Sequence, residues 1–502
     1  MKIQNGIQTC LLRMVLYVLM VLSGFILLFF HKKLTNIVID EVFVLKQSSP
    51  LFKEWSNPSA PVTIKFYFFN WTNPGDFKNS SIKPKFKEIG PYIFHQKYHR
   101  VNITFYKNHT LSYKNNKTFH FQEQGTGLSM NDKITNMNVI STIAVDKARK
   151  WNFFYRRGLS VALNTMPYES IRTIDELLFN GYEDPLLKMA NYLPFLNDVP
   201  DMEKFAWFYM RNGSADFEGL FTIGTGLGNT TLGTIYRWNR RNKGPYPGKC
   251  GNIQISAGEL YPQNIKKDKL EFFFSDFCRK VVMEYNGTTM WKGSEAYKFV
   301  GGVSYLDNGI HLPENQCLCP RKCLRYGVVD FSVCKFGVPI YLSLPRFNKA
   351  DPFFRNEIEG IEEPDDNKHG MHLIIEPRTG VLLNAKMTIQ INLLAEPNPQ
   401  LSKFKNIKET LFPVCWFSVE TRITEQLEAG LTILLHLPII FQVISVVLII
   451  MGVVLCIRTL YVNKKKTQQG NNNNRNKFSH IFNDEIIPLK TEQHKVNLKG
   501  FD

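Results

Sequence analysis

Two long apolar runs, one near each end of the chain, limit what this sequence can fold into more than any other feature. The first covers residues 14–30 and is bounded by Arg13 and by His31-Lys32-Lys33; the second covers residues 431–457 with a few polar interruptions. A helix that spans a bilayer needs about 20 apolar residues. Arg13 and Lys32 can reach the two membrane interfaces from the ends of the shorter run. The sequence therefore predicts two transmembrane helices with a large segment between them.

A cleaved signal peptide is the alternative for the first run, but a signal peptide ends in small residues and this run ends Leu-Leu-Phe-Phe-His-Lys-Lys. We therefore expect an uncleaved anchor. Basic residues after the second run, Arg458 and Lys464 to Lys466, are typical of a stop-transfer segment. The predicted organisation is a short N-terminus (1–10), a helix (11–30), an ectodomain (31–430), a second helix (431–457) and a basic, Asn-rich tail (458–502).

Glycosylation sequons give the orientation. Every Asn-x-Ser/Thr sequence lies between the two apolar runs, and the Asn-rich tail contains none. This segregation predicts an extracellular or lumenal ectodomain and cytosolic termini in a two-pass membrane protein. The predicted glycosylation sites are Asn70, Asn79, Asn102, Asn108, Asn116, Asn212, Asn229 and Asn286.

Clustered cysteines form the second constraint, since three lie within the seven residues 317–323. Four clustered thiolates also suit zinc, but in an oxidising, glycosylated compartment disulfides are favoured. The six candidates are Cys250, Cys278, Cys317, Cys319, Cys323 and Cys334. Cys415 is then the odd cysteine of the ectodomain. Cys10 and Cys456, on the cytosolic side, are either palmitoylation sites or apolar fillers.

The formal net charge of +17 would suit nucleic acid in another compartment. Outside the cytosol it suits anionic lipid particles, anionic polymers or a membrane surface. A basic composition without any partner is the alternative reading. We expect no nucleic-acid partner.

The ectodomain reads as one β-rich unit with a helical insertion. Apolar and β-branched runs predict strands at 62–69, 87–99, 297–300 and 387–394, among others. Between residues 140 and 158 apolar residues recur at helical spacing, and Thr173 and Glu176 have the spacing of a capping box. This zone carries aromatic and basic residues that either bind a ligand or belong to the core. The candidate ligand-binding residues are Trp151, Phe154, Arg156, Arg157 and Lys188.

The sequence carries no recognisable catalytic signature. There is no Gly-x-Ser-x-Gly elbow, no His-Glu-x-x-His and no Walker loop. Gly224 to Gly228 is a turn, and His369 and His372 fit solvated loop residues better than metal ligands. We therefore predict no enzymatic activity, no catalytic residue, no metal and no cofactor.

A series of short motifs resembles the CD36 family, the class B scavenger receptors and lysosomal integral membrane protein 2. The resemblance covers nearly the whole ectodomain and both anchors. The motifs are Asn70-Trp-Thr-Asn-Pro74, Gly90-Pro-Tyr-Ile-Phe94, Arg172-Thr-Ile-Asp-Glu-Leu-Leu178, Gly181-Tyr-Glu-Asp-Pro185, Asn212-Gly-Ser-Ala-Asp216, Tyr326-Gly-Val-Val-Asp330, Pro339-Ile-Tyr-Leu-Ser-Leu-Pro345 and Ile375-Glu-Pro-Arg-Thr-Gly380.

The resemblance implies a mainly β ectodomain: a large antiparallel β-barrel with an apolar tunnel and a helical apex. It implies binding of lipids, lipoprotein-like or anionic ligands at the apex and transfer of lipid through the tunnel, with a fatty acid, sterol or phospholipid as the bound molecule. By the same analogy, disulfides join Cys250 to Cys317, Cys278 to Cys334 and Cys319 to Cys323.

The chain departs from the family pattern in three places. The basic residue that some fatty-acid-binding members carry is absent around Asn164-Thr-Met-Pro167. Cys415 takes an aliphatic position of the family. The tail carries Asp484-Glu485 and Leu489, which look like an acidic dileucine sorting signal of the lysosomal kind, but Lys490 replaces the second aliphatic residue.

Two functions follow as hypotheses. The first is a receptor that binds and transfers lipid, and the second is an endosomal or lysosomal trafficking receptor that carries a lumenal protein. A scaffold or adhesion role and a homo-oligomer stay open. The predicted location is the lysosome or endosome, or the plasma membrane.

Overall fold

A computed structural model describes residues 2–123, 125, 127–190, 202–334 and 337–483. Within these ranges, side chains are described from residue 8 to residue 469. The chain divides into two compact units, one formed by residues 1–38 and 433–502 and the other by residues 39–432. The second unit overlaps most of the segment 31–430 that was predicted as the ectodomain, and we use that name for it below.

The first unit contains most of two long helices, α1 (Lys2–Val42) and α8 (Glu425–Asn483). Both contain segments long and apolar enough to cross a membrane, Gln8–Val42 and Glu425–Gln469. The two helices pack closely where glycines replace larger side chains. A Cβ atom on Gly24 would lie 2.9 Å from the carbonyl oxygen of Ser445, and one on Gly452 would lie 3.0 Å from that of Tyr17. Small residues of this kind let transmembrane helices approach one another.

The second unit is built on an antiparallel sheet whose main path follows the order β7-β6-β3-β2-β1-β15-β14-β13-β10-β9-β8, with β12 paired to β14 and β11 to β12. Two further strands, β4 and β5, form a separate pair. The strands are β1 (Val62–Trp71), β2 (Phe86–Phe105), β3 (Thr110–Phe121), β4 (Lys133–Met137), β5 (Glu169–Thr173), β6 (Phe221–Gly224), β7 (Ile235–Trp238), β8 (Lys269–Phe274), β9 (Arg279–Trp291), β10 (Ser294–Val300), β11 (Val328–Asp330), β12 (Ile340–Ser343), β13 (His372–Glu376), β14 (Val381–Ala395) and β15 (Thr410–Arg422).

The prediction of a closed barrel is wrong. The edge strands β7 and β8 share no ladder in the described chain, so the sheet is not closed as a barrel. Instead Ser256 lies between the two edges and forms isolated bridges with Thr234 and with Phe272. The chain between β7 and β8 is rich in Gly, Pro and polar residues. A strand that could complete the ladder is therefore replaced by irregular chain.

Among its described residues, the second unit has six shorter α-helices: α2 (Pro50–Ser56), α3 (Val139–Lys147), α4 (Phe153–Asn164), α5 (Pro185–Ala190), α6 (Phe353–Asn356) and α7 (Asp366–His369). The single apolar stripe expected over 140–158 is thus split between α3 and α4. The split occurs because Asn152 has an extended backbone and its side chain caps α4. The predicted capping box is present: Thr173 N donates to Glu176 Oε2 at 2.8 Å, and Glu176 N donates to Thr173 Oγ1 at 3.2 Å.

Aromatic side chains fill much of the sheet's core, and several are almost inaccessible to solvent. The Tyr67 and Trp416 rings stack with centroids 3.9 Å apart, and Phe66 packs edge-on against Phe94 at 5.6 Å. Burying one such side chain contributes roughly 1.5–3 kcal/mol. The sheet is therefore held together mainly by this apolar and aromatic core.

Two polar networks are buried with it. Arg346 makes two hydrogen bonds of 2.9 Å to the carboxylate of Glu88, which also accepts one from Trp416 Nε1 at 3.1 Å. In the other, Arg211 binds Glu218 at 2.9 Å and Asp276 at 2.8 Å. Bidentate and charge-assisted pairs of this kind fix the register of the strands and loops that carry them.

Candidate functional site: the helical end of the ectodomain

The helices α3 and α4 lie at one end of the sheet, opposite the end from which the chain enters α8. Strands β14 and β15 pair from Asn384↔Arg422 at one end to Ala395↔Thr410 at the other. Arg422 is close in sequence to the start of α8, whereas α4 packs against the turn Ser402–Phe404 that follows β14. At about 3.4 Å per residue, the two ends of this pairing are about 37 Å apart. We call the end that carries α3 and α4 the helical end.

The first turn of α4 presents two large apolar side chains to solvent. Asn152 Oδ1 accepts a hydrogen bond from Tyr155 N at 3.1 Å and so starts the helix. Phe153 and Phe154 are then 66 % and 82 % exposed, and their ring centroids are 5.8 Å apart. Adjacent exposed aromatic residues favour a binding surface. This aromatic pair is the centre of the candidate site.

The structure brings only part of the predicted ligand-binding set together. Phe154 and Arg157 are both exposed on the N-terminal half of α4. Trp151 is half-buried and packs against the core, and Arg156 donates to Gln400 Oε1. Lys188 lies on α5, where it pairs with Glu183 at 2.6 Å. The exposed surface of α4 is therefore narrower than the predicted set.

A loop closed by the Cys319–Cys323 disulfide is bound to the helical end by ion pairs. Arg321 binds Asp146 of α3 at 2.7 Å, and Lys322 binds Glu396 and Glu409 at 2.6 Å each. Burial alone would lower the pKa of Lys322, but its hydrogen bonds to the two carboxylates raise the pKa above its usual value. Sequence reasoning missed these residues, because isolated charged side chains are too common in a sequence to indicate particular partners.

The structure contains three disulfides, and they join the pairs that the family resemblance implied. Cα atoms are 5.9 Å apart in Cys250–Cys317, 5.7 Å in Cys278–Cys334 and 5.2 Å in Cys319–Cys323. Among the described cysteines, Cys10, Cys415 and Cys456 are free. Burial raises the pKa of the Cys415 thiol, so this group is a poor nucleophile.

The predicted glycosylation sites differ in exposure. Asn70 and Asn116 are half-buried, and Asn70 Oδ1 accepts a hydrogen bond from Thr135 N at 2.8 Å. The other sites are exposed: Asn79, Asn102, Asn108, Asn212, Asn229 and Asn286.

His369 and His372 were expected to be solvated loop residues, and for His369 this expectation is wrong. His369 is 1 % exposed and its Nδ1 accepts from Asp365 N, while His372 Nε2 is 2.9 Å from Asn384 Oδ1. Across the described ranges, no group of three or more His, Cys, Asp or Glu side chains is placed to hold a metal ion. The predicted sorting signal (Asp484, Glu485 and Leu489) lies outside the described residues.

Comparison with known proteins identifies what the whole chain is similar to. The model of the CD36 family matches residues 14–462. The chain is 32 % identical to "Protein peste" of Drosophila melanogaster over 82 % of its own length and 75 % of the relative's. It is 30 % identical to "Scavenger receptor class B member 1" of Cricetulus griseus, covering 84 % and 81 % of the two chains. It is 28 % identical to "Lysosome membrane protein 2" of Homo sapiens, covering 83 % and 86 %.

Proposed function

The chain belongs to the CD36 family, whose members are receptors and not enzymes, and on this premise we propose that it binds lipid or lipoprotein-type particles and transfers lipid to the bilayer. Its two long apolar helices and its membrane-receptor relatives make it a two-pass membrane protein of the class B scavenger-receptor type. The ligand and the transfer step are the proposed part.

The exposed aromatic pair at the helical end carries this proposal. Phe153 and Phe154 lie next to the exposed Arg157, at the end of the sheet opposite Arg422. The surface of a lipid particle offers phosphate groups above acyl chains. Aromatic rings enter such an interface readily, and a guanidinium binds phosphate. This combination of groups supports docking of a lipid particle on α4.

Transfer would then carry lipid past the core towards the membrane. A protein conduit spares a lipid the cost of exposing its chain to water, about 0.8 kcal/mol for each methylene. A narrow pocket lies beneath the helical end, between Asp146 of α3 and Glu396 after β14, and its interior is too small to admit a water molecule. Sites for small-molecule ligands commonly measure about 300–1,000 Å³. Passage of a lipid therefore requires side chains around this pocket to move.

The proposed orientation keeps both termini in the cytosol. The sequons all lie in the ectodomain, and Lys464 to Lys466 follow the second apolar run, as the positive-inside tendency requires. The proposed location is the plasma membrane or the lysosome, and the tail signal at Asp484 favours endosomal or lysosomal sorting.

The test is particle binding by cells that express the full chain. Phe154→Ser should reduce binding of phosphatidylcholine-coated lipid particles several-fold without changing the amount of receptor at the surface. Val161→Ser is the matched control, because Val161 lies on the same helix and is 60 % exposed. Equal binding by the wild type and Phe154→Ser would refute the proposed role of α4.

A second candidate function is the transport of a lumenal protein, and the exposed rings of Phe153 and Phe154 are the observation that favours it. The relatives named "Lysosome membrane protein 2" bear only on the lysosomal location. The same exposed rings would bind the protein. In that case Phe154→Ser should abolish co-precipitation of a lumenal partner and leave lipid bound to the ectodomain unchanged. Trp151 is unsuitable for this test because it is partly a core residue. Loss of particle binding and of lipid transfer favours the first function instead.

A further inference from the structure

The β9–β10 hairpin ends in a tight turn whose two central residues are Lys292 and Gly293. We call residues 290–293 the hairpin tip. Trp291 and Ser294 are paired across it, and the two residues between them have positive φ angles, 45° for Lys292 and 83° for Gly293. This is the backbone expected of a short β-hairpin with right-handed strand twist. The turn therefore holds its neighbours, Met290 and Trp291, in a defined orientation.

Contacts tie this tip to the start of α8. Trp291 Nε1 donates to Glu428 Oε1 at 2.5 Å, and Lys292 Nζ lies 2.6 Å from Glu428 Oε2. The Glu428 side chain is only 4 % exposed. The guanidinium of Arg422 lies 5.0 Å from the centroid of the Trp291 ring. Both oxygens of one buried carboxylate are thus used to fix the hairpin against the helix.

The position of Glu428 along α8 sets the height of the tip above the membrane. Glu428 precedes the apolar run at Leu431 by three residues, and a helix rises 1.5 Å per residue, so the separation along the axis is about 5 Å. Ile433, two residues further on, is apolar and 60 % exposed. An exposed isoleucine at this position is expected to contact the acyl chains of the bilayer. The headgroup layer above the acyl chains is roughly 5–8 Å thick, so it reaches the level of Glu428.

We propose that the hairpin tip is a second membrane contact, which lies in the headgroup layer of the bilayer that holds α8. Its residue types fit that layer: an indole, a lysine whose side chain is 58 % exposed and a methionine that is 66 % exposed. Tryptophan prefers the membrane interface, and lysine reaches headgroup phosphates from it.

The nearest sequon on the hairpin is compatible with this contact. Asn286 is exposed on β9, five residues before Trp291. At about 3.3 Å per residue, its glycan starts about 17 Å from the tip along the strand. The sugar therefore stays in the aqueous phase while the tip meets the headgroups. This inference rests on the membrane assignment and not on the proposed ligand.

The experiment uses the full chain in phosphatidylcholine nanodiscs that contain lipid with a nitroxide on the headgroup. Met290→Cys, in a Cys10→Ser/Cys456→Ser background, is labelled with a small fluorophore; Cys415 is buried and does not compete. Val161→Cys in the same background is the control, since Val161 is similarly exposed but lies at the helical end. Glycans that resist endoglycosidase H show that both variants are folded.

Quenching at position 290 is expected to be several-fold stronger than at position 161, and Glu428→Ala should reduce it by releasing the tip. Equal quenching at the two positions would overturn the proposal. A third outcome is that the label at position 290 is shielded from a water-soluble quencher but is not quenched by the nitroxide lipid. That result would indicate that a second protein copy covers the tip, and it would also overturn the proposal. Unchanged quenching in Glu428→Ala would refute the tethering by Glu428.

Discussion

Replacing the buried His369 by asparagine should make the ectodomain less sensitive to acid. His369 Nδ1 accepts a hydrogen bond from Asp365 N at 2.8 Å, so the proton of the neutral ring is on Nε2. That nitrogen is buried without a hydrogen-bond partner. The ring also packs edge-on against Trp416, with centroids 5.3 Å apart. A second proton would have to sit on Nδ1, facing an N–H donor, so the folded state opposes protonation.

The size of the effect follows from the shifted pKa. Burial, together with the nearby Arg346 and Lys368 cations, lowers the pKa of His369 to about 4, although Glu88 acts in the opposite direction. In the unfolded chain the imidazole has a pKa of about 6.5. The unfolded state therefore binds a proton as pH falls below about 6.5, while the folded state binds it only near 4. Stability is lost over this window, by about 2 kcal/mol between pH 7 and pH 5.

The assay is thermal unfolding of the ectodomain, residues 39–432, at pH 7 and at pH 5. For a unit of this size about 2 kcal/mol corresponds to a shift in Tm of roughly 2 °C. His369→Asn keeps an acceptor for Asp365 N and should remove that part of the shift. His95→Asn, at an exposed position on β2, is the control and should behave like the wild type. If His369→Asn and the wild type lose the same Tm between the two pH values, the reasoning is refuted.

Two further predictions concern charged contacts. Arg211→Met leaves the carboxylates of Glu218 and Asp276 without their cation and should lower the free energy of unfolding by about 3–5 kcal/mol. The misfolded variant should then keep glycans that are sensitive to endoglycosidase H. Maturation of its glycans as in the wild type would contradict this prediction. Asp146→Asn removes the partner of Arg321, so the loop 319–323 should exchange its amide hydrogens faster in mass spectrometry while overall stability falls by only about 1 kcal/mol. Unchanged exchange in that loop would show that the disulfide alone holds it.

Much of the architecture was predictable because it depends on local patterns. The run 62–69 is rich in β-branched and aromatic residues, and it forms most of β1. The capping box at Thr173 and Glu176 needs only two residues three positions apart, so its contacts could be expected from the spacing. The two apolar runs likewise determine long helices by composition alone.

What could not be predicted depends on contacts between residues distant in sequence. Arg321 meets Asp146 across 175 residues, and Arg346 meets Glu88 across 258; nothing in the local sequence selects those partners. The closed barrel was expected from family resemblance, but closure depends on whether β7 and β8 meet. Ser256 occupies the space between them, and a single bridging residue leaves no pattern in the sequence.

Native mass spectrometry of the glycosylated ectodomain, with lipid extraction from the same sample, tests whether the ectodomain holds lipid. We expect lipid in stoichiometric amount, and lower occupancy after exposure to acceptor vesicles that lack the bound lipid species. A homogeneous ectodomain that carries no lipid, and takes none up from phosphatidylcholine vesicles, would contradict this expectation.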